Sequence, residues 1–435
     1  MRTKGAIIVG ICHAGGVTPR RWDVVRCVAL ITALTAATGC GSARLSAPPD
    51  PEFTTAERAQ PTVLPEITDT AREDPEIDLA AIEADVADAS IAQMTIVDDA
   101  GNATPNQSGW ATFDASIGGR LVPANVSASV AVMIDGVVVH RAAFGERVAG
   151  TGEAVETTDR FRIASISKTV TAITTLQLVD AGVLTLDQPV GDLLVAHLGL
   201  IAPDPDVIRI SVRELLSHTA GFPDHAATFF GNGSTSCTDA AAKGLQSSVS
   251  SAGGYNYSNM SFCVLSVLIE AVTGKAYERV VNENLLAPLG IIGMRMTSTY
   301  ELGPDEVSHH PTPGRNFMET LGGAGGWNAT PADLTMIINS VDPNTPGWKA
   351  LSPELMEAMR YRIPNGQPPS GYGLGLINYA SGYGHTGTMQ NTHAMVMVQP
   401  DGVTWAVTVS GEYPSETEGL KNIVRRALVE AFPSA

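Results

Sequence analysis

Two hairpin signatures at opposite ends of the chain fix most of what it can fold into. Ser129–Ile134 and Val137–Ala143 are β-branched runs joined by Asp135-Gly136, a two-residue turn that needs positive φ. Far downstream, Thr392–Gln399 and Val403–Ser410 flank Pro400-Asp401-Gly402. Between them the periodicity is helical. Ser165–Asp180 places Val170, Ile173, Leu176 and Val179 at helical spacing with Gly182 as a stop, and Ser258–Thr273 is almost wholly apolar. A last helix is expected to open on a capping box at Ser415-Glu416-Thr417-Glu418 and to bury Leu420, Ile423, Val424, Ala427 and Leu428. Strands at both ends with helices between predict an α/β fold of the α+β kind. One antiparallel sheet is built from the two termini and flanked by helices, and a mostly α-helical lobe is inserted between them.

Residues 1–26 hold Arg20, Arg21 and Arg26 and precede the apolar run Cys27–Ala37. At about 11–13 residues that run is short for a membrane span and matches the core of a signal peptide. It ends in Ala37-Thr38-Gly39-Cys40, which resembles a bacterial lipobox, so Cys40 is expected to carry lipid and to tether an exported protein to the outer face of the cell membrane or envelope. Residues 40–105 are then an acidic, Pro-rich linker, and 106–435 the folded domain, with 106–164 and 380–435 as its α/β lobe and roughly 165–379 as its helical lobe. The net charge is −18, and removing residues 1–39 makes the remainder more negative. Such a surface repels phosphate backbones, and nucleic acid is not expected as a partner. In an oxidising compartment Cys237 and Cys263 form a candidate disulfide.

Ser165-Ile166-Ser167-Lys168 opens a helix whose apolar face is buried. Positions i and i+3 share a face, so the lysine amine can reach the serine oxygen, and a desolvated lysine loses enough basicity to accept the serine proton. Tyr257-Ser258-Asn259 opens the second apolar helix. There Tyr257 can share the proton relay, and the Asn259 amide can hold both the lysine and a substrate carbonyl. His385-Thr386-Gly387 precedes the strand beginning at Thr392. Gly387 admits backbone to the substrate, and the N–H of Thr388 pairs with that of Ser165 as an oxyanion hole. His218 invites a Ser-His-Asp reading but is taken as loop-structuring, and Ser167 as packing. His309-His310 and the other histidines lack metal-ligand spacing, and Gly322–Gly326 lacks the strand, helix and lysine of a phosphate loop. No metal or cofactor is called for.

The three elements in this order resemble the serine β-lactamase and penicillin-binding protein superfamily. The likeness is closer to the class C β-lactamase-related hydrolases, which carry tyrosine at the head of the second motif. Phe161-Arg162-Ile163-Ala164, Leu215 to Gly221 and Gly322 to Leu334 look like segments of the same family. The resemblance implies a serine hydrolase with Ser165, Lys168 and Tyr257 catalytic and with Asn259, His385, Thr386 and Gly387 at the substrate. His385 stands where penicillin-recognising members have a lysine that holds a carboxylate, and it is similar to what certain esterases and aminopeptidases carry. An ester or a small amide or peptide is therefore the expected substrate. A β-lactamase or D-alanyl-D-alanine carboxypeptidase acting on a peptidoglycan-like peptide is the alternative, and an inactive envelope binding scaffold the second.

Overall fold

The computed structural model describes residues 90–97, 103–201, 203–223, 226–249, 253–311, 313–360 and 371–434. Cys40 and the expected signal segment lie outside them. All of the described residues belong to one compact unit.

The sheet has six antiparallel strands: β1 Ser127–Ile134, β2 Val137–Phe144, β3 Ile377–Tyr379, β4 Gly382–Met389, β5 Thr392–Val398 and β6 Val403–Ser410. Their order is β2-β1-β6-β5-β4-β3, so the two ends of the chain meet at the β1–β6 ladder. Asp135 and Gly136 both take the positive φ that the β1–β2 turn requires. Side chains alternate between two cores. Met395, Met397, Trp405 and Val407 face α1 (Gln107–Leu121) and α4 (Gly419–Ala431), which bury Trp110, Phe113, Leu420 and Val424 against them. Ala394, Val396 and Ala406 face the helical lobe, whose centre is α2 (Ser167–Asp180) and α3 (Asn259–Thr273). Among the described residues no single helix is long and apolar enough to cross a membrane, and α3 is apolar because it is enclosed.

Two expectations need correction. Folding begins before residue 106. The Ser90 N–H donates to the Phe432 carbonyl, strand 95–97 pairs with 103–105, and buried Met94 accepts the Trp110 indole N–H at 3.2 Å. An acidic, Pro-rich composition over 40–105 conceals this short segment, which is held by the domain it touches.

The last helix does not start on the Ser415–Glu418 box. Its N-cap is Glu418, without a side-chain cap bond, because tertiary partners take the box. Thr417 bonds Thr388 and His393, and Glu418 accepts from Tyr379.

The segment 385–387 precedes the Thr392 strand, β5, and itself lies within a strand, β4. The disulfide candidates lie at the start of one lobe helix and within α3, with sulfurs 2.08 Å apart.

Candidate active site

Ser165 sits in a 3₁₀ turn, Ala164–Ile166, that leads directly into α2. Ala164 is held at φ +44°, a conformation costly for a residue with a Cβ, and the chain there turns sharply between the strand Phe161–Arg162 and the helix. The first bond of the turn runs from Ile166 N–H to the Ile163 carbonyl, which leaves the Ser165 N–H outside the turn's own ladder.

β4 approaches this turn from the other side. A Cβ on Gly387 would lie 2.2 Å from the Ile163 carbonyl oxygen, so only glycine lets the strand come this close. Ladder alternation fixes the direction of its amides. Asn391 and Gln399 bond across to β6, so the even-numbered residues of β5 exchange bonds with Met389, Gly387 and His385 of β4. The N–H groups of Thr386 and Thr388 therefore point out of the opposite edge, which β3 covers only as far as Gly384. The Thr388 amide is thus turned out of the β5 ladder, one residue beyond the glycine that packs on the Ser165 turn.

Lys168 is fully buried, and its three hydrogen-bond partners are all neutral: Ser165 Oγ at 3.0 Å, Asn259 Oδ1 at 2.7 Å and the Ala324 carbonyl oxygen at 2.8 Å. Desolvation without a counter-charge pushes its pKa well below 10.5. A neutral amine has two N–H bonds and one lone pair. Two of the three partners can only accept, so they take both hydrogens and leave the lone pair aimed at the serine hydroxyl.

Tyr257 lies beside this pair, its ring centre 4.9 Å from the lysine nitrogen and its hydroxyl interacting with the Ser165 side chain. Burial of the hydroxyl end pushes the phenol up and the interaction with Ser165 acts against the rise; a ring 40 % exposed to the cleft keeps solvent near enough to blunt it. His218 steadies the tyrosine. Its Nδ1 accepts the Ser258 N–H at 3.1 Å, and its ring centre is 4.3 Å from that of Tyr257. It is a loop-structuring residue that works by fixing the start of α3.

Two residues expected at the substrate are placed otherwise. His385 faces the helical lobe but is 1 % exposed, and both of its nitrogens are used: Nδ1–H donates to the Thr386 carbonyl at 2.6 Å, and Nε2 accepts from the Tyr372 hydroxyl at 3.0 Å. Burial lowers its pKa to about 3, so it offers no charge for a carboxylate. The Thr386 side chain is on the far face of the sheet, its hydroxyl against Tyr379. What Thr386 turns to the open edge is its backbone N–H, whereas the His385 backbone is held in the β5 ladder. The sequence also gave no warning of Ala324, whose carbonyl the lysine needs, or of Tyr372, which covers His385. Gly322–Trp327 was legible only as part of a family-like segment without the context of a phosphate loop. His309 is spent structurally, with Nε2 accepting the Arg162 N–H and Nδ1 bonding Thr392. No group of acidic, histidine or cysteine side chains among the described residues could hold a metal.

The arrangement resembles known proteins. The sequence profile of the Beta-lactamase family matches residues 121–430. Penicillin-binding protein 4 of Amycolatopsis lactamdurans is 28 % identical over 320 residues, which cover 65 % of this chain and 80 % of that protein. Among solved structures, SurE with D-Leu superposes with a TM-score of 0.61 at 25 % identity, covering 76 % of this chain and 78 % of the other. The D-amino acid amidase of Ochrobactrum anthropi SV3, complexed with L-phenylalanine amide, superposes with a TM-score of 0.60 over 74 % of this chain and 98 % of its own; at 20 % identity it shows the shared fold alone.

Proposed function

The chain belongs to the Beta-lactamase family, whose fold carries serine hydrolases, and from that premise we propose that it hydrolyses an ester or a small amide or peptide through an acyl-enzyme on Ser165. One observation carries the reading: the amine of Lys168, buried without a counter-ion, has both hydrogens taken by Asn259 and Ala324 and its lone pair left for Ser165. The serine oxygen attacks the carbonyl carbon while its proton passes to Lys168. The N–H groups of Ser165 and Thr388 hold the oxyanion. Collapse of the tetrahedral intermediate expels the leaving group, which takes the proton back through Lys168 and Tyr257. Water then cleaves the acyl ester and regenerates the serine. The Asn259 Nδ2, free of the lysine, is the donor for a substrate carbonyl.

The substrate reading rests on His385. Buried and uncharged, it does not supply the cation that a β-lactam or a terminal D-alanine carboxylate would ask for. The similarity to a penicillin-binding protein over 80 % of its length keeps carboxypeptidase action as the second reading. An inactive scaffold would have no need of a desolvated lysine facing a hydroxyl. The sequence at Ala37–Cys40 supports an envelope location through lipid, and a mature protein lacking a diacylglyceryl mass on Cys40 would end that part of the proposal.

The test is intact mass of the protein after parallel exposure to a fluorophosphonate, a p-nitrophenyl acyl ester and a penicillin, with Ser165→Ala as control. A Ser165-dependent adduct or turnover with the first two is expected. Rapid penicillin turnover would favour the β-lactamase alternative, and no adduct in any lane would favour the scaffold.

A further inference from the structure

We infer that Thr171 is a positioning residue for the general base, and that it works through a one-way chain of hydrogen bonds from Trp327 and Tyr277 to the carbonyl next to the one Lys168 uses. The inference rests on the acyl-enzyme reading above.

Thr171 lies three residues beyond Lys168, so the two share a face of α2. They grip successive peptides of the turn Gly322–Ala324. Thr171 Oγ1 donates to the Gly323 carbonyl at 2.7 Å, and Lys168 Nζ donates to the Ala324 carbonyl at 2.8 Å. The direction of the rest follows from which groups can donate. The Trp327 indole can only donate, and does so to the Tyr277 hydroxyl at 3.0 Å. Tyr277 then has its own proton for Thr171 Oγ1, 2.7 Å away. Thr171 in turn spends its proton on a carbonyl, and Gly323 at 2.7 Å is nearer than Ser167 at 3.1 Å. Thr171 and Trp327 are wholly buried and Tyr277 nearly so, which leaves no water to replace a lost link.

The turn has little room to adjust. A Cβ on Gly323 would stand 2.8 Å from Ser266 Cβ and 3.1 Å from Thr171 Oγ1, and one on Gly322 would stand 2.5 Å from Cys237 Cβ. The chain thus sets the tilt of the Gly323 and Ala324 peptides, and that tilt decides whether the second lysine hydrogen has an acceptor. Without it the amine can rotate, and its lone pair is no longer held on Ser165.

The experiment compares full-length wild type with Thr171→Val, Thr171→Ser and Tyr277→Phe for p-nitrophenyl acetate turnover across pH. Ser165→Ala and Lys168→Ala serve as references. For Thr171→Val, kcat should fall about tenfold or more with KM unchanged, the cost of a misplaced catalytic group. The acid limb of kcat/KM should move to lower pH, because an ammonium loses more than an amine when an acceptor leaves. Thr171→Ser should restore both. Tyr277→Phe should move both in the same direction as Thr171→Val, and it stands in if that variant does not fold. A folded variant with wild-type kcat and limb overturns the inference. So does a limb that moves to higher pH, the mark of a loosened core admitting water. Should Ser165→Ala or Lys168→Ala remain active, the acyl-enzyme reading itself has failed.

Discussion

Lys168 shows how much of this site is decided by where one charge is not allowed to form. The amine is buried among neutral partners, so the protonated form is penalised and the pKa of the base lies well below 10.5. Acylation should therefore decline as pH falls through the lysine's lowered pKa, read as the acid limb of kcat/KM. Stability follows with a definite sign. Between that lowered value and 10.5 the unfolded chain binds a proton that the folded chain does not, so the lysine's contribution to stability rises with pH across this window. Urea midpoints of wild type should gain on those of Lys168→Met as pH rises toward 10.5, and a constant difference would show that the amine is charged when folded. His385 makes the complementary point. Replacing it by lysine would put a second amine in the enclosure it shares with Tyr372, close to Lys168. A lower thermal midpoint and no gain in penicillin acylation are expected; a gain would place residue 385 at the substrate after all.

Elements bring these side chains to one point by close approach of backbone, and here Gly387 is the tightest fit. In Gly387→Ala the Cβ meets the Ile163 carbonyl, so β4 must retreat from the turn that carries Ser165. Overpacking of this kind costs about 1–3 kcal/mol, measurable by denaturant titration. The oxyanion donors separate as well, so the acylation rate should fall more than the stability loss explains. A stable variant with unchanged acylation would mean that the Thr388 amide has no part in the reaction.

At this scale the sequence was uneven as a guide. Asp135-Gly136, the apolar spacing of α2 and the Ser258 cap of α3 are local signals, and the chain obeys them. The Ser415–Glu418 box is local too, yet tertiary partners claimed it. Ser165 and Lys168 could be paired from their i, i+3 spacing at a helix start, and Tyr257 and Asn259 could be named from the resemblance that the three motifs carry in order. The roles of Ala324 and Tyr372 could not, since a carbonyl contact and a covering ring depend on how distant segments pack. Thr386 was misread because which face of β4 it occupies follows from the register with β5, which no motif encodes.

For the whole molecule, the sheet closed from both termini gives the α1/α4 core and the lobe core separate sides, and β4 packs on the Ser165 turn where that turn leads into α2. The link between Cys237 and Cys263 ties two helices of the lobe behind the turn that Lys168 uses. Opening it in a Cys237→Ser, Cys263→Ser variant should cost about 3 kcal/mol for a loop of this length, seen as a lower denaturant midpoint. No change would mean the pair is not bonded in the mature protein. The central claim, that a neutral Lys168 takes the proton as Ser165 is acylated, is tested most directly by following acyl transfer from p-nitrophenyl acetate by intact mass across pH in wild type and Lys168→Ala. The account requires a single adduct on Ser165, forming faster as pH rises through the lysine's lowered pKa and about 10²–10⁴-fold more slowly in the variant. An adduct elsewhere, or an unchanged rate without the lysine, would contradict it.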